Sequence, residues 1–512
     1  FYAFPELDKI LVMIDNNGDE NYQPMLIPLD GGFPEPAFDN FFKEYRVHLG
    51  ECDREKAIVY LYAERRDKPL NETYRGDLKT GKLTKIAESE WGLGVGAHSA
   101  DHKRLLLGTG YGVGDSVLYL WNKGEKKVIY GKPLEDRASG EKVALNGLGG
   151  SVFSPSGKGS IVTSAVFEDT FGLGYIDFKK PGVLKPVKLK GVVHSGVGEM
   201  ENVAHLKDDR YLVTFNIDGC SWAYEGIFDE EKLVMNLKYA LVGPPPFDNG
   251  MLEHMDYDSV EDVFTFSFST ATSPTQIYTI EGKKRSDLAL HTSERILGVD
   301  DASLSKGEDA SYISHDGLRV SARLYLPAKS LGFKGARPVV YYIHGGPQGY
   351  DGDYFDFDLE NQLFPARGWA VLRVNYRGST AYGEKFSRAI WGDWHRREYD
   401  DLMAALDHAL ATRDWIDPAR LGIGGWSYGG IMTLWTVGHT NRFKVGVPER
   451  FGFDYLSSFG EDQWFVWYLK ELGSPLENEK LYRKLSPGTY LENVKTPLYL
   501  IANEEDKNCP LP

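Results

Sequence analysis

Cysteine is scarce: Cys52, Cys220 and Cys509 are the only three in 512 residues, and they are isolated, with no C-x-x-C pair. That spacing excludes a disulfide framework and a zinc-ribbon site. A basic surface is missing too, because 58 Lys and Arg face 74 Asp and Glu for a net charge of −16. Nucleic acid and anionic membrane both require positive charge, so neither is an expected partner. No window holds eighteen uncharged apolar residues, which leaves no candidate membrane helix. The opening Phe1-Tyr2-Ala3-Phe4-Pro5 has neither an initiator Met nor a basic-then-apolar leader. We therefore expect a soluble, cytoplasmic chain with a trimmed start.

What is present is glycine and aromatic residues, 56 and 67 of them, the composition of a globular, β-rich protein. The length implies two or three domains. Over the first three hundred residues a unit recurs: a polar turn with a basic residue, an apolar strand, then a second strand closed by an acidic or amide residue near glycine. The apolar strands begin near Ile10, Ile58, Leu105, Ile161, Leu212 and Val263. The interval is that of propeller blades, each of which must stack on neighbours to bury both faces. Six units are visible, and since the chain opens in what resembles mid-unit, a ring of about seven is expected with the first blade incomplete. His98, His194, His254 and Trp222 share no metal-ligand spacing and read as packed or solvated.

After Glu294 the pattern changes. Val320 to Pro327 alternates as a strand, whereas Pro338–Ile343 and Trp369–Val374 are continuously apolar, the mark of parallel strands covered by helices on both faces. A helix is predicted over about Tyr399 to Thr412, with Leu402, Ala405, Leu406, Ala409 and Leu410 on one stripe and Asp400 and Asp401 favouring its positive end. Leu421–Gly425 reads as a buried strand after Asp417-Pro418 breaks that helix, and Thr496–Ile501 as another buried strand. The expected architecture is a β-propeller over 1–296 followed by an α/β-hydrolase domain over 297–512.

Gly425-Trp426-Ser427-Tyr428-Gly429 has the G-x-S-x-G spacing of a nucleophile elbow, where a strand turns sharply into a helix and holds a serine oxygen in the open. Chance alone supplies that pattern about 0.4 times in a chain of this composition. The stronger signal is its combination with His344-Gly345-Gly346-Pro347 directly after the strand ending at Ile343, expected by accident on the order of 0.01 times. Such a turn supplies one backbone donor to an oxyanion, at Gly346, and the residue after the nucleophile, Tyr428, supplies the other. An acid is needed to orient a histidine, and in this fold it follows the nucleophile in the chain. Asp506 is the choice, in the loop after Ile501, with Glu504 and Glu505 as alternatives. No histidine follows Asp506, and His408 and His439 stand in the wrong order. The chain is thus expected to stop short of its catalytic base and, as written, to be nearly inactive.

The strings Tyr342 to Pro347, Val374 to Gly383, Trp391-Gly392-Asp393-Trp394, Gly425 to Gly430 and Thr496 through Asp506 to Pro510 together resemble the prolyl oligopeptidase family of serine peptidases, in particular its acylaminoacyl peptidase and dipeptidyl-peptidase-like branch. The resemblance implies hydrolysis of short peptides through an acyl-enzyme, a propeller that limits substrate size, Ser427 as nucleophile, Asp506 as acid, and Gly346 and Tyr428 as the oxyanion hole, with no metal and no cofactor. Two departures stand out: Ala502-Asn503 where the family has His-Gly, and Pro448-Glu449-Arg450-Phe451 in place of a small-residue stretch. The alternatives are an esterase built on the same elbow and a propeller-based binding protein with a degenerate hydrolase domain. Self-association to a homo-oligomer is compatible with the sequence.

Overall fold

A computed structural model describes residues 1–355, 360–461, 464–504, 506 and 508–510. Six successive four-stranded antiparallel units cover 2–40, 45–89, 94–130, 151–190, 198–242 and 251–290. The first carries all four strands, although its innermost is only Tyr2–Phe4. The apolar strand that opens each sequence unit is the second strand of its blade, as in Ile58–Arg65 and Arg104–Gly112. Blades four and five are additionally joined through a parallel pairing of Lys188–Lys190 with Val234–Asn236.

The period of two in these strands explains the stacking. Leu105 and Leu107 pack toward blade two with Tyr60 and Ile86, while Leu106 between them packs toward blade four with Val162 and Ile176. Successive side chains point to opposite faces, so one strand serves two interblade cores. Arg54 of blade two reaches Asp256 of blade six with two 2.9 Å hydrogen bonds.

The second half is built on one mixed sheet. We label its strands β1 (Gly307–Asp309), β2 (Arg319–Tyr325), β3 (Arg337–Ile343), β4 (Ala370–Asn375), β5 (Ile416–Trp426) and β6 (Val445–Glu449). Their spatial order is β1-β2-β4-β3-β5-β6. The pairing is antiparallel from β1 to β4 and parallel from there on. The two principal helices are α1 (Arg396–Thr412), between β4 and β5, and α2 (Tyr428–His439), after β5. Ile343, Val371, Leu372 and Leu402 are buried almost completely, as the continuous apolar runs require. Helix α1 starts three residues earlier than the stripe suggests and ends at Thr412, where Arg413 leaves helical geometry (φ −134°), ahead of Asp417-Pro418.

One strand differs from its sequence reading. Leu498 and Ile501 bridge in parallel to Gly446 and Glu449 of β6, but Tyr499 and Leu500 are 67% and 56% exposed. Among the described residues the segment bridges to β6 alone, so its apolar composition is not matched here by burial on both faces.

Blade residues touch the second half directly. Arg323 on β2 donates to the Asp218 carbonyl at 3.1 Å, the Gly383 amide donates to Glu199 at 2.8 Å, and the Tyr350 hydroxyl donates to Glu201 at 3.0 Å. Lys470 completes the seam with an ion pair to Asp115 at 3.1 Å.

Candidate active site

Strand β5 runs out at Trp426, and the chain reverses through Ser427, whose φ of 57° and ψ of −125° lie where a side chain is strained. The strain persists because backbone on three sides over-determines the corner. The Ser427 amide donates to the Glu449 carbonyl of β6 at 2.9 Å, and its own carbonyl accepts the first helical bond, from Ile431 at 3.1 Å. A Cβ at Gly425 would stand 2.3 Å from the Ile343 carbonyl oxygen, and one at Gly429 only 2.0 Å from it. Those two glycines let α2 begin against the end of β3. Tyr428, Gly429 and Gly430 then form the first turn of α2, where backbone amides precede the helical hydrogen-bond ladder and carry its positive end.

The turn after β3 meets this corner. A Cβ at Gly345 would lie 3.3 Å from Ser427 Cβ and 3.8 Å from its Oγ, so Gly345 sits beside the serine with room for about one methyl group between them. His344 is buried; its Nδ1 bonds the Gly345 carbonyl at 2.7 Å, its Nε2 bonds Ser379 Oγ at 3.0 Å, and its ring stacks on Tyr376 at 4.4 Å. Burial lowers its pKa, which keeps the ring neutral, and both nitrogens are engaged within the turn. Tyr376 returns a hydrogen bond from its hydroxyl to the His344 carbonyl at 2.8 Å. The Val374–Gly383 string therefore braces the turn from behind.

A second brace is ionic. Asp401 is fully buried and accepts from the Arg377 amide at 3.0 Å, its Nε at 2.9 Å, its Nη2 at 2.6 Å and Ser314 Oγ at 2.6 Å. Its role is this pairing rather than the helix-end charge that position in α1 suggested. The acidic residue in the first turn of α1 is Glu398, in a capping box with His395, and neither was singled out from sequence. Both are fully buried. Glu398 accepts from the Tyr428 hydroxyl at 2.6 Å and the His395 amide at 3.0 Å, and burial pushes its carboxyl up to about 8. His395 bonds Tyr455 through Nε2 at 2.7 Å and contacts Met432 sulfur at 3.2 Å, and burial drives its imidazole down to about 3. The available signal was a glutamate three residues after the residue that opens the helix, disguised because His is an unusual cap.

Asp506 lies in the loop that leaves the sheet edge beyond Ile501. Its carboxylate accepts from the Asn508 and Cys509 amides at 2.8 and 2.9 Å. Glu449 links this edge to the elbow: its carbonyl accepts from Ser427, its strand bridges to Ile501, and the next amide, of Arg450, donates to the Ile501 carbonyl at 2.7 Å. Glu504 is exposed, and Glu505 lies outside the described residues. His439 is held by the Trp435 carbonyl at 2.7 Å, and His408 packs on Tyr312 at 6.0 Å.

A family model described as "Prolyl oligopeptidase family" matches residues 355–512. Over that stretch the chain is similar to the prolyl oligopeptidase family. Among curated relatives, a Bacillus subtilis protein named "Uncharacterized peptidase YuxL" is 35% identical over 276 residues, covering 53% of this chain and 41% of the relative. A Giardia intestinalis protein named "Dipeptidyl-peptidase 4" is 25% identical over 292 residues, covering 50% of this chain and 37% of the relative. The chain thus spans less than half the length of these two family relatives. Solved structures align over nearly the whole chain: a Pyrococcus horikoshii acylaminoacyl peptidase at TM-score 0.69, 21% identity and 99% coverage of this chain (79% of that one), and a puromycin hydrolase at TM-score 0.76, 19% identity and 98% coverage (76% of that one). At those identities they establish the shared fold of propeller and hydrolase sheet. No helix among the described residues is long and apolar enough to cross a membrane.

Proposed function

We propose that this chain forms most of a serine peptidase that hydrolyses short peptides through an acyl-enzyme, with 1–296 as the propeller and 297–512 as the catalytic unit. The observation that carries the reading is the strained Ser427 corner abutting the Gly345 backbone, with the built Cβ there 3.8 Å from Ser427 Oγ. In this reading Ser427 attacks the scissile carbonyl, and the Gly346 and Tyr428 amides receive the developing oxyanion, usually the largest electrostatic term in acyl transfer. Asp506, held by two backbone amides, orients and charge-balances the histidine that removes the serine proton. His344, His395 and His439 are each engaged elsewhere, so we assign that base to a histidine following Asp506 in chain order, as the fold requires. The propeller restricts access to short, unfolded substrates. The curated relatives named peptidases and dipeptidyl-peptidases support the substrate class.

The test is a full-length protein assayed on free and amino-blocked short peptides and on simple acyl esters, alongside Ser427→Ala. Peptide turnover that falls by about 10⁴ or more in the variant is expected. Turnover indifferent to Ser427 refutes the reading. Faster hydrolysis of simple esters than of any peptide would reassign the site to an esterase, and absence of turnover with retained peptide binding would make the propeller a binding module.

A further inference from the structure

The propeller carries a cluster that the peptidase reading does not use. Asp53, His98 and His102 each offer a ligand atom within 4.8 Å of the others. Asp53 closes the inner strand of blade two, His98 closes the inner strand of blade three, and His102 sits in the turn that follows, so the group spans two neighbouring blades. Position in sequence concealed it, since the acid and the histidines belong to different repeats.

We propose that Asp53, His98 and His102 form a binding site for a divalent transition metal of the zinc type that staples blade two to blade three. Two imidazoles and one carboxylate make a donor set suited to Zn²⁺, with a fourth position left for water. The outer hydrogen bonds are those of metal-bound imidazoles. His98 Nδ1 bonds the Ser99 carbonyl at 3.2 Å, and His102 Nδ1 bonds the Tyr60 hydroxyl at 2.8 Å. The Ser99 carbonyl only accepts, so His98 Nδ1 carries the proton and Nε2 is the atom offered to the metal; in His102 the metal takes the place of the Nε2 proton that faces Asp53, and the tautomer shifts so that Nδ1 donates to the Tyr60 hydroxyl. His102 Nε2 already lies 3.0 Å from Asp53 Oδ2, and the two imidazoles stack at 4.4 Å.

Access is available: His98 lines a cavity of about 680 Å³ whose wall includes Glu51, Asn202 and His205 from the inner strands of blades two and five. Lys56 competes, its ammonium 3.0 Å from Asp53 Oδ2 and 2.8 Å from the Ala100 carbonyl. Its side chain is 50% exposed, so it can swing into water when a divalent ion takes the carboxylate.

The experiment uses the whole chain after chelation and dialysis, titrated with Co²⁺ by visible spectroscopy and with Zn²⁺ by calorimetry. One equivalent should bind, Co²⁺ should develop the intense bands of a low-coordinate site, and Zn²⁺ should raise the melting temperature. His98→Gln, which also removes the ring contacts to His102 and Tyr60, and Asp53→Asn should each weaken binding by about 10- to 100-fold or more. His254→Gln should leave it unchanged. Circular dichroism of the metal-free variants checks that they remain folded; should His98→Gln misfold, Asp53→Asn decides. Absence of saturable binding, or one-equivalent binding unaffected by both variants, overturns the proposal.

Discussion

Replacing Gly429 by alanine tests the construction of the elbow most directly. The added methyl would sit 2.0 Å from the Ile343 carbonyl oxygen, 2.8 Å from its carbon and 3.0 Å from the His344 oxygen. All three are backbone atoms at the carboxyl end of β3, a strand paired on both sides, so no flexible side chain can yield. Relief requires α2 to retreat from the sheet by roughly 1 Å. Overpacking of this kind costs about 1–3 kcal/mol, and a rigid backbone target puts Gly429→Ala near the upper end. At about 2–4 °C per kcal/mol for a domain of this size, the hydrolase transition should fall by roughly 6–12 °C. Activity should suffer more than stability, because the same retreat moves Ser427 away from the turn at Gly345, and a misplacement of about 1 Å costs on the order of 100-fold in rate. Calorimetry and peptide-hydrolysis kinetics of the full-length protein give both numbers. The control is Gly460→Ala, where a Cβ meets nothing within 4 Å. If Gly429→Ala melts and turns over like the Gly460 variant, the close approach of α2 and β3 is not what sets this corner.

Two further outcomes follow from the buried polar groups. Asp401→Asn removes the charge partner of a largely buried Arg377, whose side chain is 6% exposed, and should destabilise the hydrolase half by about 3–5 kcal/mol in denaturant unfolding. A loss under about 1 kcal/mol would show that Asp316, the second partner of Arg377, suffices. The Glu398–His395 capping box should set a pH window. With its folded pKa raised to about 8, Glu398 holds a proton that the unfolded chain has lost, so stability declines as pH rises from the ordinary carboxyl range through about 8. His395, depressed to about 3, acts oppositely: stability declines as pH falls from the ordinary imidazole range toward 3. The contributions offset one another between roughly pH 4.5 and 6.5, where this pair is most favourable. Glu398→Gln should flatten the alkaline side of a melting-temperature profile and leave the acid side, and an unchanged alkaline slope would contradict it.

Local chemistry wrote much of this protein into its sequence. The recurrence of an apolar strand and a turn was enough for blades, because a four-stranded unit with two apolar faces has to stack. Glycines bracketing Ser427, taken together with His344-Gly345-Gly346-Pro347, marked the elbow, because only a residue without Cβ fits beneath the Ile343 carbonyl, and largely apolar runs marked β3 and β4. Where neighbours distant in the chain decide, the reading failed. Thr496–Ile501 carries the composition of a buried strand, yet Tyr499 and Leu500 are more than half exposed among the described residues. Asp401 looked like a helix-end charge and proved to be the anchor of Arg377, delivered from the turn after β4. His395 and Glu398 have ordinary local spacing, and their burial comes from Tyr428 and Tyr455 packing over them. In the Asp53, His98 and His102 group the acid comes from a different repeat than the two histidines, so no single repeat shows it. Periodicity and turn preference act over a few residues and survive in the linear pattern, whereas a buried charge, an edge or a ligand cluster is defined by which remote surfaces meet, and only the folded chain brings those together.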